Sequence, residues 1–319
     1  MTDPKSKILA KVFPLRGVGS RVFGSICVRA FLLFVKLLNR LEFDREADMS
    51  ALDGSIAVHA HNSLSKKYKD QYSGKTVVVT GGGSGIGAEL SRAFSAYGAT
   101  VVIADRDLAK ASDLAREIGP LACAEVVDVA DPASVQSLFD RCRSHVKTID
   151  LVVNSAGVLM QGAAESISDK DWARVIGVNL LGTIYVSMAA YREMTKQGHG
   201  QIVNIASGSA LNAPPFQLPY ASSKYGAFGF TLGLRAEGAR RNIHVSVVCP
   251  GNIATPMVSL ASSKPSDITP TMSVQSAVAK ILKGIGDNRG IIVFPRYQRA
   301  FWYLERFSPR LGARLRRSL

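Results

Sequence analysis

A run of β-branched residues, Thr76-Val-Val-Val-Thr80, leads straight into Gly81-Gly82-Gly83-Ser84-Gly85-Ile86-Gly87, and no other junction constrains the fold of this chain as much. The run is continuously apolar, with no polar alternation, and so reads as a strand buried on both faces, the habit of parallel sheets. Beyond the glycines, Ala88, Leu90, Ala93 and Phe94 recur at helical spacing. Strand, glycine turn and helix start together form a pyrophosphate cradle. Glycine allows the tight turn and the close approach of backbone to phosphate, and the helix N-terminus adds amides and positive potential. A merely flexible loop needs neither the strand before it nor the helix after it.

The next strand-like run, Thr100-Val-Val-Ile-Ala104, ends at Asp105. A carboxylate there accepts hydrogen bonds from adenosine ribose hydroxyls and repels a 2′-phosphate, so the expected cofactor is NAD. The glycine loop carries no Lys or Arg, which agrees. Arg106 argues the other way and keeps NADP open, because a guanidinium at that point suits a 2′-phosphate. Further strands are expected near Ala124, Leu151, Ile202, His244 and Ile291, alternating with helical stretches. That order predicts an α/β fold: a Rossmann-type, doubly wound parallel sheet with helices on both faces.

Tyr220-Ala-Ser-Ser-Lys224 carries the chemistry. A free tyrosine, with a pKa of about 10, is a poor base at neutral pH, and a nearby ammonium favours its phenolate. Positions four apart share a helix face, so Lys224 is expected beside the Tyr220 ring. Ser207 closes the strand-like run Gln201-Ile-Val-Asn-Ile-Ala-Ser207 and suits a hydrogen bond to an oxygen held against Tyr220.

In order and spacing, residues 73 to 260 resemble the classical short-chain dehydrogenase/reductase family. Thr80 to Gly87, with Gly81, Ser84, Gly85, Ile86 and Gly87, looks like its cofactor motif. Asp128-Val129 resembles its adenine-contacting pair. Asn154-Ser155-Ala156-Gly157 is similar to its Asn-Asn-Ala-Gly segment, with Ser155 in place of the second Asn. Asn179 matches the fourth member of a tetrad with Ser207, Tyr220 and Lys224. Pro250, Gly251, Ile253 and Thr255 match the stretch that passes the nicotinamide. The resemblance implies that Tyr220 exchanges the proton and that Lys224 lowers its pKa and binds the ribose. It further implies that Ser207 holds the substrate oxygen, that Asn179 anchors a water, and that the protein is a homodimer or homotetramer. Leu159, Met160, Pro214, Pro215, Phe216 and Met257 are the expected apolar lining of the substrate pocket, and Pro256 to Thr271 its covering loop.

Charge locates what lies outside this region. The net charge is +14, of which residues 1–72 carry +5 and residues 295–319 carry +6. Val22 to Leu38 is apolar but holds Arg29, and Arg21, Ser25, Arg29, Lys36, Asn39 and Arg40 fall on one helical face. That describes a helix lying in a membrane interface better than one crossing the bilayer. The same periodicity suits a helix packed on the core or on a second subunit, and a mitochondrial presequence also fits. The C-terminal stretch repeats the pattern, with Arg299, Arg306, Arg310 and Arg317 on one side, Phe301, Leu304, Leu311 and Leu315 opposite, and Pro309 dividing it into two pieces. Trp302 and Tyr303 suit the headgroup level. Both ends are therefore expected to be amphipathic extensions on an anionic membrane, with 44–72 as a linker, 73–294 as the catalytic domain and 295–319 as a tail. Aliphatic and aromatic residues among the charges favour lipid over nucleic acid. The expected substrate is a lipophilic alcohol, a steroid, retinoid or long-chain lipid.

Four cysteines without paired spacing (Cys27, Cys123, Cys142, Cys249) suit a reducing compartment, which places the expected membrane contact on the cytoplasmic side. His59-Ala-His61 lacks the further ligands a metal needs, and no metal is expected.

Overall fold

The computed structural model describes residues 68–259, 271–308 and 310. The Val22–Leu38 segment, the histidine pair, Cys27, most of the expected covering loop and the last residues of the tail lie outside them. Seven strands, β1 (Thr76–Thr80), β2 (Thr100–Asp105), β3 (Ala122–Val126), β4 (Leu151–Asn154), β5 (Gly200–Ile205), β6 (Ile243–Pro250) and β7 (Ile291–Phe294), form one sheet of order β3-β2-β1-β4-β5-β6-β7. Every neighbouring pair is parallel. All seven expected strands are present, and the sheet is the doubly wound one read from the sequence.

Helices α1 (Gly85–Ala96), α2 (Leu108–Ile118), α3 (Pro132–His145), α4 (Asp169–Ile176), α5 (Gly182–Gln197), α6 (Leu218–Gly238), α7 (Val274–Gly286) and α8 (Arg296–Phe307) surround it. Alternation along β1 builds both cores. Val77 and Val79 pack with Leu90, Phe94 and Ile281 on one face, while Val78 packs with Leu138, Phe139 and Val186 on the other. This is why β1, buried along its whole length, shows no polar alternation. Asp131 accepts a hydrogen bond from the Ala133 N–H at the start of α3, with Pro132 in its first turn.

Two readings of the chain ends are corrected. The expected linker reaches Tyr72, but residues 68–72 are helical and both Tyr68 and Tyr72 are buried. The Tyr72 ring meets Phe94 edge-on at 5.0 Å, and Tyr68 lies 5.4 Å from Tyr97. Four residues apart, the two tyrosines share one face, and the surrounding lysines hide that pairing in the sequence. At the other end α8 stops before Pro309, as expected. Its apolar side, however, belongs to the domain: Phe301 is buried, and Trp302 packs edge-on against Phe228 at 6.0 Å. Trp302 is thus spent inside the fold rather than at a headgroup.

Candidate active site

The order of the sheet reverses between β1 and β4, whose connections leave on opposite faces. The crevice beyond the carboxyl ends of such strands is where this architecture places ligands. A cleft of about 270 Å³ opens there. Of the residues expected to bind cofactor, Gly81, Ser84, Gly85, Ile86, Asp105, Arg106, Asp128, Val129, Ala156, Gly157, Tyr220, Lys224, Pro250, Gly251, Ile253 and Thr255 all line it, and Ser207 lines it with them.

Gly81 shows why the loop is glycine-rich. Its φ is +63°, and a Cβ there would lie 2.6 Å from the Ala156 Cα, so neither the conformation nor the space admits a side chain. Gly87 does not line the cleft; it lies directly against the Gly81 carbonyl at the start of α1. Asp105 holds the loop from the side. Its carboxylate accepts from the Gly83 N–H at 2.9 Å and from the Asp107 N–H at 3.0 Å. Asp128 serves the cleft and the backbone at once. It faces the cleft, and its carboxylate also accepts from the Ala130 N–H at 2.9 Å to form the turn into α3.

Asn154 departs from expectation. It is buried behind the cleft, where its amide donates to Ser187 Oγ at 3.0 Å and Asn204 Oδ1 at 2.7 Å. Its oxygen accepts from Thr80 Oγ1 at 3.4 Å. It ties three strand ends and α5 together, which commits its side-chain amide within the fold.

At the other end of the cleft, β5 delivers Ser207 and α6 delivers Tyr220 and Lys224. The Lys224 Nζ lies 5.6 Å from the Tyr220 ring centroid and donates to the Ile205 carbonyl at 2.9 Å. Burial depresses its pKa to about 8. Tyr220 runs against the sequence reading. Burial raises its pKa, and the opposing hydrogen bond with the Ser207 side chain does not offset the desolvation.

Asn179 sits in a π-helical turn, Gly177–Leu181, between α4 and α5, the kind of helix defect that often marks a functional site. Its side chain closes a small network. Oδ1 accepts from the Val158 N–H at 2.8 Å, while Nδ2 donates to the Val158 carbonyl at 2.9 Å and to Ser223 Oγ at 3.1 Å. Ser223 in turn donates to the Tyr220 carbonyl at 2.7 Å. The side-chain amide therefore braces the backbone behind Tyr220, and any water would have to use another of its atoms. Sequence reasoning missed Ser223, although it stands inside the Tyr-x-x-x-Lys segment.

Val127, Val158, Val178, Ile205, Ala206 and Pro256 also line the cleft, none of them marked by a motif. Of the six residues expected to form the substrate pocket, Met257 lines this cleft. Pro215 and Phe216 face solvent, with Phe216 64% exposed. The Phe216 carbonyl accepts from the Gly162 N–H at 2.9 Å, which joins the two rim segments. Among the described residues no group of three or more His, Cys, Asp or Glu side chains is placed to hold a metal ion.

Known proteins share these features. The family described as short chain dehydrogenase matches residues 75–266. The chain is 36% identical to the D-threitol dehydrogenase of Mycolicibacterium smegmatis over 199 residues, 60% of this chain and 75% of that one. It is 29% identical to human 17-beta-hydroxysteroid dehydrogenase 13 over 242 residues, 74% of this chain and 80% of the other. A short-chain dehydrogenase/reductase from Burkholderia phymatum in complex with NAD has the same fold, with a TM-score of 0.69, 24% identity and coverage of 75% of this chain and 95% of that one. A 3-ketoacyl-(acyl-carrier-protein) reductase from Brucella melitensis complexed with NADH aligns with a TM-score of 0.63 at 25% identity, covering 70% and 96%. With this sheet, this glycine cradle and this profile over most of its core, the chain belongs to the short-chain dehydrogenase/reductase family, oxidoreductases of alcohol and carbonyl groups.

Proposed function

We propose that this enzyme is an NAD-dependent dehydrogenase of a lipophilic alcohol, working at a membrane surface. The observation that carries the reading is the convergence of Ser207, Tyr220 and Lys224 at one end of a cleft whose other end is Asp105. When bound, the nicotinamide cofactor supplies the hydride acceptor. The chain's own groups handle the oxygen and the proton. Ser207 and Tyr220 hold the substrate hydroxyl, and Tyr220 takes its proton as the carbon gives up hydride and becomes a carbonyl. Lys224 binds the nicotinamide ribose and, as an ammonium, offsets the phenolate charge. Asn179 and Ser223 position the Tyr220 backbone.

Asp105 favours NAD, because its carboxylate would face a 2′-phosphate. Arg106 lines the same end of the cleft and supports a second reading, an NADPH-dependent reductase of a lipid ketone. The raised Tyr220 pKa is consistent with it, since a protonated phenol is the group a carbonyl needs. A lipophilic substrate is supported by Val158, Val178 and Met257 in the lining and by similarity to a hydroxysteroid dehydrogenase. The basic termini support the membrane surface, and a dimer or tetramer is the assembly we expect.

The test is hydride transfer, followed as reduced nicotinamide absorbance, across a panel of steroid, retinoid, long-chain and short polyol alcohols with NAD and NADP. Turnover of hydrophobic alcohols with NAD, with Asp105→Ala narrowing the preference over NADP, supports the proposal. Preferential turnover of short polyols would overturn the substrate class, and equal or reversed cofactor preference would overturn the role of Asp105. No transfer in either direction, with Tyr220 and Lys224 intact, leaves a non-catalytic adaptor that keeps the fold.

A further inference from the structure

A second depression, about 550 Å³, lies against the edge strand β7 between α7 and α8, apart from the catalytic cleft. Lys280, Lys283, Arg289, Arg296 and Arg299 line it, and among the described residues no acidic side chain does. Asp287 at its margin pairs with Lys283 at 3.6 Å and Arg289 at 3.1 Å. Like charges gathered this closely repel one another and raise the local affinity for an anion.

Basic side chains also guard sheet edges against pairing with another chain. Such guards sit on the edge strand itself, whereas Ile291–Phe294 carries no charge at all. Here the cations come from α7, the turn after it and α8, and converge on a depression floored by β7. Convergence from three segments is the pattern of a binding site rather than of an edge guard.

The outward face of α8 says which anion. At about 100° per residue, Arg296, Arg299, Tyr303, Arg306 and Phe307 fall within about 120° of arc. Tyr303 is 49% exposed and Phe307 87% exposed on that face. A phosphate free in water has no use for an exposed phenylalanine. A bilayer interface has use for both groups, cations against anionic headgroups and aromatic rings at headgroup depth.

We propose that this groove receives the headgroup of an anionic phospholipid and docks the α7–α8 corner on the membrane. The proposal rests on the membrane-surface reading above and assigns it to a specific site. It also differs from the sequence expectation, because the contact is made by the cationic face of α8 and not by the apolar face, which the fold has already covered.

The experiment uses the full chain and vesicles of phosphatidylcholine with or without phosphatidylserine, read by amide hydrogen exchange and by co-sedimentation. Phosphatidylserine vesicles should slow exchange in 280–307, most strongly at low salt. Lys283→Gln/Arg289→Gln/Arg299→Gln should abolish that local protection and lower low-salt affinity through the site on the order of 100-fold. An equal charge loss elsewhere, Arg116→Gln/Arg174→Gln/Lys196→Gln, should leave the protection in place. Arg299→Glu alone, at an exposed position, should weaken it too and covers the case in which the triple variant misfolds. Absence of protection, protection that survives the triple variant, or saturation of the groove by inorganic phosphate at millimolar concentration would each overturn the proposal. Turnover of a water-soluble alcohol should be unchanged in the variants. Failure of the proposed dehydrogenase activity is thereby distinguished from failure of docking.

Discussion

Burial moves the pKa of both Lys224 and Tyr220 away from the values they have in water. The Lys224 ammonium, depressed to about 8 by burial, binds fewer protons when folded than when unfolded between that value and its unfolded value of about 10.4. The cofactor-free fold is therefore penalised below pH 8, and its stability recovers as pH rises through that window. Lys224→Met should stabilise the cofactor-free protein by about 1–3 kcal/mol at pH 7, after allowing for the lost hydrogen bond to Ile205. The gain should shrink above pH 8 and vanish near pH 10.5, as denaturant titration at several pH values will show. The same variant should lose turnover and bind cofactor more weakly. For Tyr220, whose pKa is raised, alcohol oxidation needs the phenolate and should climb with pH. Carbonyl reduction needs the phenol and should hold at neutral pH and fall in alkali. Tyr220→Phe should remove both activities and leave dinucleotide binding largely intact. Comparable turnover in Tyr220→Phe would falsify the proton transfer.

At the scale of elements, α8 matters more than a tail should. Its Tyr297, Gln298 and Phe301 are buried, and Gln298 wedges between two turns of the cleft. A Cβ on Gly208, next to Ser207, would lie within van der Waals overlap of the Gln298 amide, and one on Gly251 would come within 3.2 Å of its Nε2. The Gln298 Oε1 accepts no hydrogen bond from the described residues. Gly208→Ala should destabilise the protein by about 1–3 kcal/mol through overpacking. Gln298→Ala should relieve most of that loss in the double variant, a coupling that a double-mutant cycle measures directly. Additive losses would mean that the two sites do not share the contact. By the same packing, a piece ending at 294 strips a helix from the core and should unfold more readily than one ending after α8.

For the whole molecule, charge and apolar surface are divided between the ends and the groove. A chain beginning at 68, where packing against Tyr97 and Phe94 starts, should keep the salt-sensitive vesicle binding of the α7–α8 corner. It should lose the salt-resistant part expected from Phe31, Leu33, Phe34 and Leu37, because apolar insertion is not screened by salt. Co-sedimentation at low and high salt, with and without residues 1–67, measures the two contributions separately. Among the described residues one helical stretch, Asp169–Gln197, is long and apolar enough to cross a bilayer. Val186, Ala190 and Met194 within it pack on the sheet, which accounts for its composition.

The sequence by itself determined the winding of the sheet, the cradle between β1 and α1, and the pairing of Tyr220 with Lys224. Those features are local: a buried strand needs an unbroken apolar run, a phosphate turn needs glycines, and residues four apart on a helix must share a face. Tertiary structure alone decided the rest. Amphipathic spacing shows that α8 has an apolar face but not what covers it, and here the covering is Phe228 and the core rather than lipid. Asn154 reads as a site residue by motif, yet partners 33 and 50 residues away claim its amide. The Tyr220 pKa rises because desolvation sums over every atom that excludes water, a quantity with no trace in four-residue spacing. The Gln298 wedge and the basic groove join segments that meet only after the chain has folded, so no local pattern announces either one.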